Sequence, residues 1–368
     1  MSRILAALVL VSWSSLVVSG VQPSAQSTDA ANDNVVLITF DGARIEEVFG
    51  GLDLELLRST MKEGQNVEDT PSYRRFWAPT PEERRRKLMP FFWSLVTEQG
   101  SIAGDRRSGS IVRLGNTHWF SYPGYAEMLL GEAHDAVITS NEPIRTPVPT
   151  VLETIGARLS LPRDKVATVA SWAVFNAISE HTIGTTFINA GVERFESEEG
   201  DVRAMNALQA EVTTPWDGIR FDAFTFRVAM RHLATARPRA MHIAFDETDD
   251  WAHDGRYERV LESYGRTDGY LRELWTWMQS QPDYRGRTHV LITTDHGRGH
   301  TVKDWRDHGA KVPGSNEVWM AFVSPRMAQR GVWQSHAPLT TGQVAATLAS
   351  WMGIDWTADH PSAGPAIR

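Results

Sequence analysis

Six Asp and His side chains of this chain could together hold divalent metals, and most sit where a strand would deliver them. The segment Thr293-Thr294-Asp295-His296-Gly297 closes the apolar run His289-Val290-Leu291-Ile292, which reads as a buried strand. An acid and an imidazole side by side at a strand's C-terminal end are suited to a metal site. Asp41 follows Val35-Val36-Leu37-Ile38-Thr39-Phe40, and Asp249 with His253 follows His242-Ile243-Ala244-Phe245. His308 comes later. Together these supply three carboxylates and three imidazoles, enough for two divalent ions. Two positions have competitors: Asp246 and Asp250 crowd the loop of Asp249, and His300 lies nearer than His308 to the Asp295-His296 pair.

A nucleophile accompanies them. In Asn116-Thr117-His118-Trp119-Phe120-Ser121-Tyr122-Pro123-Gly124-Tyr125, Ser121 precedes a helix-like run, Tyr125 to Leu130. A serine at a helix N-terminus has backbone N–H groups and the helix dipole beside it, which favours an anionic substrate. The simpler role for Ser121 is an N-cap. His118 reads as a packed or surface residue. Arg44, close to Asp41, is placed either to meet a substrate phosphate or to pair with a carboxylate.

These residues need a scaffold, and the pattern of the chain supplies one. Strand-like runs recur at 35–40, 110–113, 166–171, 241–246, 288–294 and 317–323, with helical patterns between them. Tyr257-Val260-Leu261-Tyr264 and Leu271-Leu274-Trp275-Met278 repeat at three and four residues, as an amphipathic helix does. Strands alternating with helices predict an α/β fold: a mostly parallel sheet with helices on both faces. Residues 35–356 read as one catalytic domain, with a polar, Arg- and Glu-rich insertion at about 42–109. Within it, Thr80 and Pro81 predict an N-cap and first position of a helix, which Pro90 ends or kinks. Thr341 to Met352 reads as a last helix stopped by Gly353, and the residues from Thr357 as a loose tail.

Composition narrows the function classes. The chain has 368 residues and a net charge of −8, which argues against nucleic acid as a stable partner. The basic run Arg84-Arg85-Arg86-Lys87 reads as a solvated helix face. Residues 1–25 read as an export signal: Arg3 starts it, Ile4 to Val18 is apolar, and small residues follow, with cleavage between 19 and 28. The apolar run is shorter than the roughly 20 residues that a span needs, so no membrane anchor is expected after cleavage and the protein is expected to be periplasmic or secreted. There is no cysteine, which removes thiolate metal sites and cysteine nucleophiles.

The ordered set Phe40-Asp41-Gly42, Ser121-Tyr122-Pro123, Asp249-x-x-x-His253, Asp295-His296-Gly297 and His308-Gly309 resembles the alkaline phosphatase superfamily. Within it, the likeness is to the nucleotide pyrophosphatase/phosphodiesterase (type I phosphodiesterase) branch. Val318 to Val323 resembles that family's strand after the late His, and Gln343 to Ala349 its closing helix. The resemblance implies an alkaline phosphatase-like core and two divalent metals. It assigns Asp249, His253 and His308 to one metal, and Asp41, Asp295, His296 and the Ser121 oxygen to the other. The four-residue spacing selects Asp249, and the His-Gly before a strand selects His308. Nitrogen and carboxylate ligands point to Zn2+. Ser121 is then the nucleophile of a phosphoseryl intermediate, and Asn141, about 20 residues on, binds a substrate oxygen.

The superfamily cleaves phosphate monoesters, phosphate diesters, sulfate esters and phosphonates. Some monoesterases place a Lys-x-Arg pair after a mid-chain strand, but Val169-Ala170-Ser171-Trp172-Ala173-Val174-Phe175 carries no cation. Trp172 and Phe175 there offer an apolar wall for a second ester group, or simply core packing. The expectation is an exported phosphodiesterase acting on a small phosphate ester. The alternatives are a phosphate monoesterase, a sulfatase-like hydrolase, or a degenerate protein that only binds metal or anion. The sulfatase motif wants Arg where Tyr125 stands.

Overall fold

The computed structural model describes residues 30–368. The export signal expected at 1–25 lies outside the described residues. Among the described residues eleven strands form: β1 (Asn34–Phe40), β2 (Gly100–Ala103), β3 (Val112–Arg113), β4 (Val166–Ala170), β5 (Phe187–Ala190), β6 (Ala240–Phe245), β7 (Thr288–Thr293), β8 (Glu317–Val318), β9 (Met320–Val323), β10 (Gly331–Val332) and β11 (Leu339–Thr340). Eight of them make one sheet in the order β10-β2-β9-β7-β1-β6-β4-β5. Its centre, β7-β1-β6-β4-β5, is parallel, and β9 runs against its neighbours β7 and β2.

The central strands are buried along their whole length. Their side chains alternate between two cores, as the strand period of two requires. Val36, Ile38 and Phe40 enter a core with helices Asp222–Ala236 and Tyr257–Ser280. Val35 and Leu37 enter the opposite core with helices Ser121–Leu130, Val151–Arg158 and Gln343–Trp351. Helices on both faces of a mostly parallel sheet are the predicted class. Among the described residues, no helix is long and apolar enough to cross a membrane.

Several expectations change in detail. The run at 317–323 divides into β8 and β9, which belong to different sheets, and 110–113 yields only β3, in a small sheet β11-β3-β8. Segment 42–109 is not wholly external, since its last strand β2 pairs antiparallel with β9 in the main sheet. The helix at Pro81 has a full capping box between Thr80 and Glu83, and a second helix starts at Pro90 after a break at Met89. The tail beyond Thr357 is docked: Ala363 and Ile367 are buried, and Gly364 N–H donates to Gly131 O.

A candidate two-metal centre

Three neighbouring strands explain why the ligands meet. β7, β1 and β6 lie side by side and parallel, so their C-terminal ends deliver Asp295-His296, Asp41 and the helix Glu247–His253 to one edge of the sheet. On that helix Asp249 and His253 are four residues apart and face the same way. Two clusters result, Asp249-His253-His308 and Asp41-Asp295-His296, each with ligand atoms within 4.8 Å of one another.

In the first cluster, His253 Nε2 lies 3.0 Å from Asp249 Oδ2 and 3.0 Å from His308 Nε2. Asp249 is buried and His253 exposed, so this cluster opens to solvent on the His253 side. Burial first, and then the charges of His296 and Arg298, hold the His308 pKa far below the ordinary imidazole value. Burial also lowers His253. Both rings are thereby kept neutral, the form that coordinates metal.

The second cluster is wholly buried. His296 Nε2 lies 3.4 Å from Asp41 Oδ1 and 3.4 Å from Asp295 Oδ2. Its Nδ1 lies 2.8 Å from the Gly297 carbonyl oxygen, which can only accept, so the Nδ1–H donates there and Nε2 faces the carboxylates. Asp41 Oδ1 and Asp295 Oδ2 are buried with no hydrogen-bond partner. Burial opposes the charged form of His296, but the Asp295 and Asp41 carboxylates outweigh it and carry the pKa up to about 9. Burial first and Asp41 second push Asp295 up to about 8. Two buried carboxylate oxygens without hydrogen-bond partners are atoms that a bound cation would satisfy. Oxygen and nitrogen donors in this number fit divalent metals.

The clusters adjoin, since Asp249 Oδ1 is 3.8 Å from His296 Nε2. Close approach of backbone makes this possible. Gly42 has φ +57, and a Cβ there would lie 2.2 Å from Asp249 Oδ1, so only glycine fits after Asp41. Tyr125 completes the shell, its hydroxyl donating to Asp41 Oδ2 at 2.9 Å.

Ser121 is the first residue of its helix rather than the cap, a position that Phe120 takes. Its buried Oγ lies 3.4 Å from His296 Nε2, beside the second cluster. Asn141 Oδ1 accepts from the Tyr122 backbone N–H at 3.0 Å, which ties the amide to the residue after Ser121 and leaves its NH2 outside that bond. Two expected site residues are not brought into this group. Arg44 is buried, forms a two-point ion pair with Glu47 and donates to Gly299 O, which is the carboxylate-pair reading. Trp172 is half-buried past the end of β4, where it bridges Ile219 and meets Phe175 edge-on at 6.4 Å. Phe175 itself is core, packed on Tyr125 and His242.

The competitors resolve. His300 pairs with Glu46 at 2.5 Å and Glu317 at 3.3 Å, outside both clusters. Asp246 and Asp250 join neither cluster, and burial first, then Asp250 and Asp41, raise the Asp246 pKa well above the usual carboxylate value. His118 Nε2 lies 3.2 Å from Asp135 O, and the residue joins neither cluster. Sequence reading missed Tyr125 and the buried Arg298. The only signal for either was adjacency to a motif.

No family model matches the chain, and no curated protein matches it in sequence. Solved structures do match in shape. Ps i-CgsB is 11% identical with a TM-score of 0.56, over 90% of this chain and 74% of that one. The lipoteichoic acid synthase LtaP from Listeria monocytogenes is 8% identical with a TM-score of 0.52, over 89% and 74%. The phosphonate monoester hydrolase SpPMH from Silicibacter pomeroyi is 11% identical with a TM-score of 0.52, over 87% and 73%. None of these likenesses singles out the nucleotide pyrophosphatase/phosphodiesterase branch. The eight-stranded sheet, its covering helices and these shared shapes show that the chain has the same fold as these solved structures, in the α/β class expected from its sequence.

Proposed function

We propose that this protein is an exported, metal-dependent phosphoric ester hydrolase, a phosphodiesterase that acts through Ser121. The observation that carries the reading is the convergence of two ligand clusters with the Ser121 hydroxyl at one sheet edge. Asp249, His253 and His308 would hold one ion, and Asp41, Asp295 and His296 the other, with the Ser121 oxygen beside the latter. Zinc is the metal that this donor set suits. Bound ions supply Lewis acidity, which lowers the hydroxyl pKa and neutralises oxygens that gain charge.

The chain's own residues do the rest. Ser121 Oγ forms a bond to phosphorus as the ester P–O bond breaks, and the alcohol leaves with that electron pair and takes a proton. Water then cleaves the phosphoseryl group and restores the hydroxyl. The Asn141 NH2 would donate to a non-bridging oxygen, a role supported by the hydrogen bond that ties its Oδ1 to the Tyr122 N–H.

The charge inventory supports a diester. A monoester's transferred group keeps extra negative charge and benefits from free cations. The two arginines bound up with this sheet edge, Arg44 and Arg298, are buried, and Nε, Nη1 and Nη2 of each have partners. Neither is available to substrate. The test compares matched aryl phosphate diester, monoester and sulfate ester on zinc-loaded protein, with Ser121→Ala as the blank. The diester should turn over fastest, and Ser121→Ala should lose several orders of magnitude while keeping its metal. Unchanged turnover in Ser121→Ala would remove the serine from the mechanism.

A further inference from the structure

Arg298 is the buried cation that the proposed chemistry does not use. It follows His296 by two residues, is 1% exposed, and commits Nε, Nη1 and Nη2 inside the protein. Nη1 donates to Asp249 Oδ1, Nη2 to Arg306 O, and Nε to Trp305 O at 3.1 Å. The partners matter because of where they lie. Asp249 belongs to the first cluster, and Trp305 and Arg306 close the turn that leads, two residues on, to His308 of the same cluster. The guanidinium therefore joins the Asp295-His296 loop to both the carboxylate and the loop that supplies the late imidazole.

Asp249 shows what this bond decides. Its Oδ2 faces His253 Nε2 at 3.0 Å, while its Oδ1 lies 3.8 Å from His296 Nε2 and 4.0 Å from His308 Nε2. Oδ1 thus stands between the two clusters and could serve either. A guanidinium donor on Oδ1 holds that oxygen and leaves Oδ2 pointing at His253. Such outer partners fix ligand orientation, and their loss typically lowers metal affinity about 10–100-fold.

We propose that Arg298 is a positioning residue that assigns Asp249 to the His253–His308 cluster and keeps the two metal sites distinct. The inference rests on the two-metal reading of the site. A rigid fork suits the task better than a lysine, since one planar group spans the carboxylate and two backbone carbonyls.

The test is a zinc titration of full-length protein in metal buffers, read as ions bound per chain. Wild type, Arg298→Met, Arg298→Lys, Asp249→Asn and the Arg298→Met/Asp249→Asn double variant are compared, with a thermal midpoint of each chelated protein. Arg298→Met should weaken one of two sites about 10–100-fold and leave the other as in wild type. Arg298→Lys should recover part of the loss. The double variant should bind no more weakly than Asp249→Asn alone, because Arg298 acts through Asp249. Wild-type affinity at both sites in Arg298→Met would overturn the assignment, as would additive losses in the double variant. If Arg298→Met does not fold, Arg298→Lys decides: selective weakening of one site upholds the role, and two unaltered sites overturn it. A wild type that binds no zinc would instead sink the two-metal reading itself.

Discussion

Gly124 offers a way to move the nucleophile without touching it. It is the fourth residue of the helix that Ser121 begins. A Cβ at this position would lie 2.2 Å from Asp295 O and 2.9 Å from Asp295 C. Both are backbone atoms of the loop that carries Asp295 and His296, so neither can swing aside as a flexible side chain would. Ordinary contact begins at 3.4 Å, so Gly124→Ala forces the helix and the loop apart by about 1 Å. Ser121 rides on one side of that contact and the second ligand cluster on the other. Misplacement by about 1 Å costs on the order of 100-fold in rate. Overpacking costs about 1–3 kcal/mol, against which alanine's better helix propensity returns about 1 kcal/mol. The expected result is a roughly 100-fold fall in kcat/KM for an aryl phosphate diester, with a modest drop in thermal midpoint and zinc still bound. The matched control is Gly269→Ala in the helix Tyr257–Ser280, where an added Cβ meets nothing within 4 Å. That change should stabilise by about 0.4–1 kcal/mol and leave turnover alone. Gly124→Ala protein with turnover within about twofold of wild type would refute the reasoning. So would a loss that disappears once rates are divided by the folded fraction.

Arg44→Ala should destabilise by about 3–5 kcal/mol, because it leaves Glu47 buried beside Tyr257 without its cation. Chemical denaturation should show Arg44→Leu/Glu47→Leu recovering much of that loss, and a substrate-binding role would instead appear as a raised KM in folded Arg44→Ala. The Glu317 and Glu46 carboxylates, in that order, outweigh burial and raise the His300 pKa to about 10. A raised folded-state pKa contributes stability that is full below the unfolded value, about 6.5, and fades as pH rises through about 10. His300→Gln should therefore flatten the fall in urea midpoint between about pH 6.5 and 10, and an unchanged slope would count against the assigned pKa. Chelation should lower the thermal midpoint, since a site held at 100 times its Kd adds about 2.7 kcal/mol. A midpoint indifferent to chelator and to added zinc would contradict the two-metal centre.

The parallel centre of the sheet was legible because its strands are buried on both faces. Such strands read as continuous apolar runs, and β1, β4, β6 and β7 fall within a residue or so of the runs that predicted them. The edges were not legible. Gly100-Ser101-Ile102-Ala103 forms β2 by pairing with β9 and β10, and of its four residues only Ile102 favours a strand. The same pairing, distant in sequence, splits 317–323 between two sheets. The tail from Thr357 reads as loose from its composition, yet it docks through Gly131 and Thr347, contacts that local patterning cannot reveal.

The site divides along the same line. Each ligand except His308 stands one to eight residues past the end of a central strand, so strand order alone brings them together. Arg44 and Arg298 sharpen the contrast. Each lies two or three residues beyond a ligand, Asp41 and His296 respectively, though the sequence reading offered only Arg44 as a cation for substrate. The structure turns both away. Arg44 finds Glu47 one helical turn on, a partner that i, i+3 spacing allows one to foresee. Arg298 finds Asp249, 49 residues away, a partner set only by the meeting of β6 and β7 ends across β1. Charge near a motif is therefore weak grounds for a substrate contact in this fold. Carboxylates gathered at a strand edge must themselves be neutralised, and buried arginines that lie close by are taken up by that demand first.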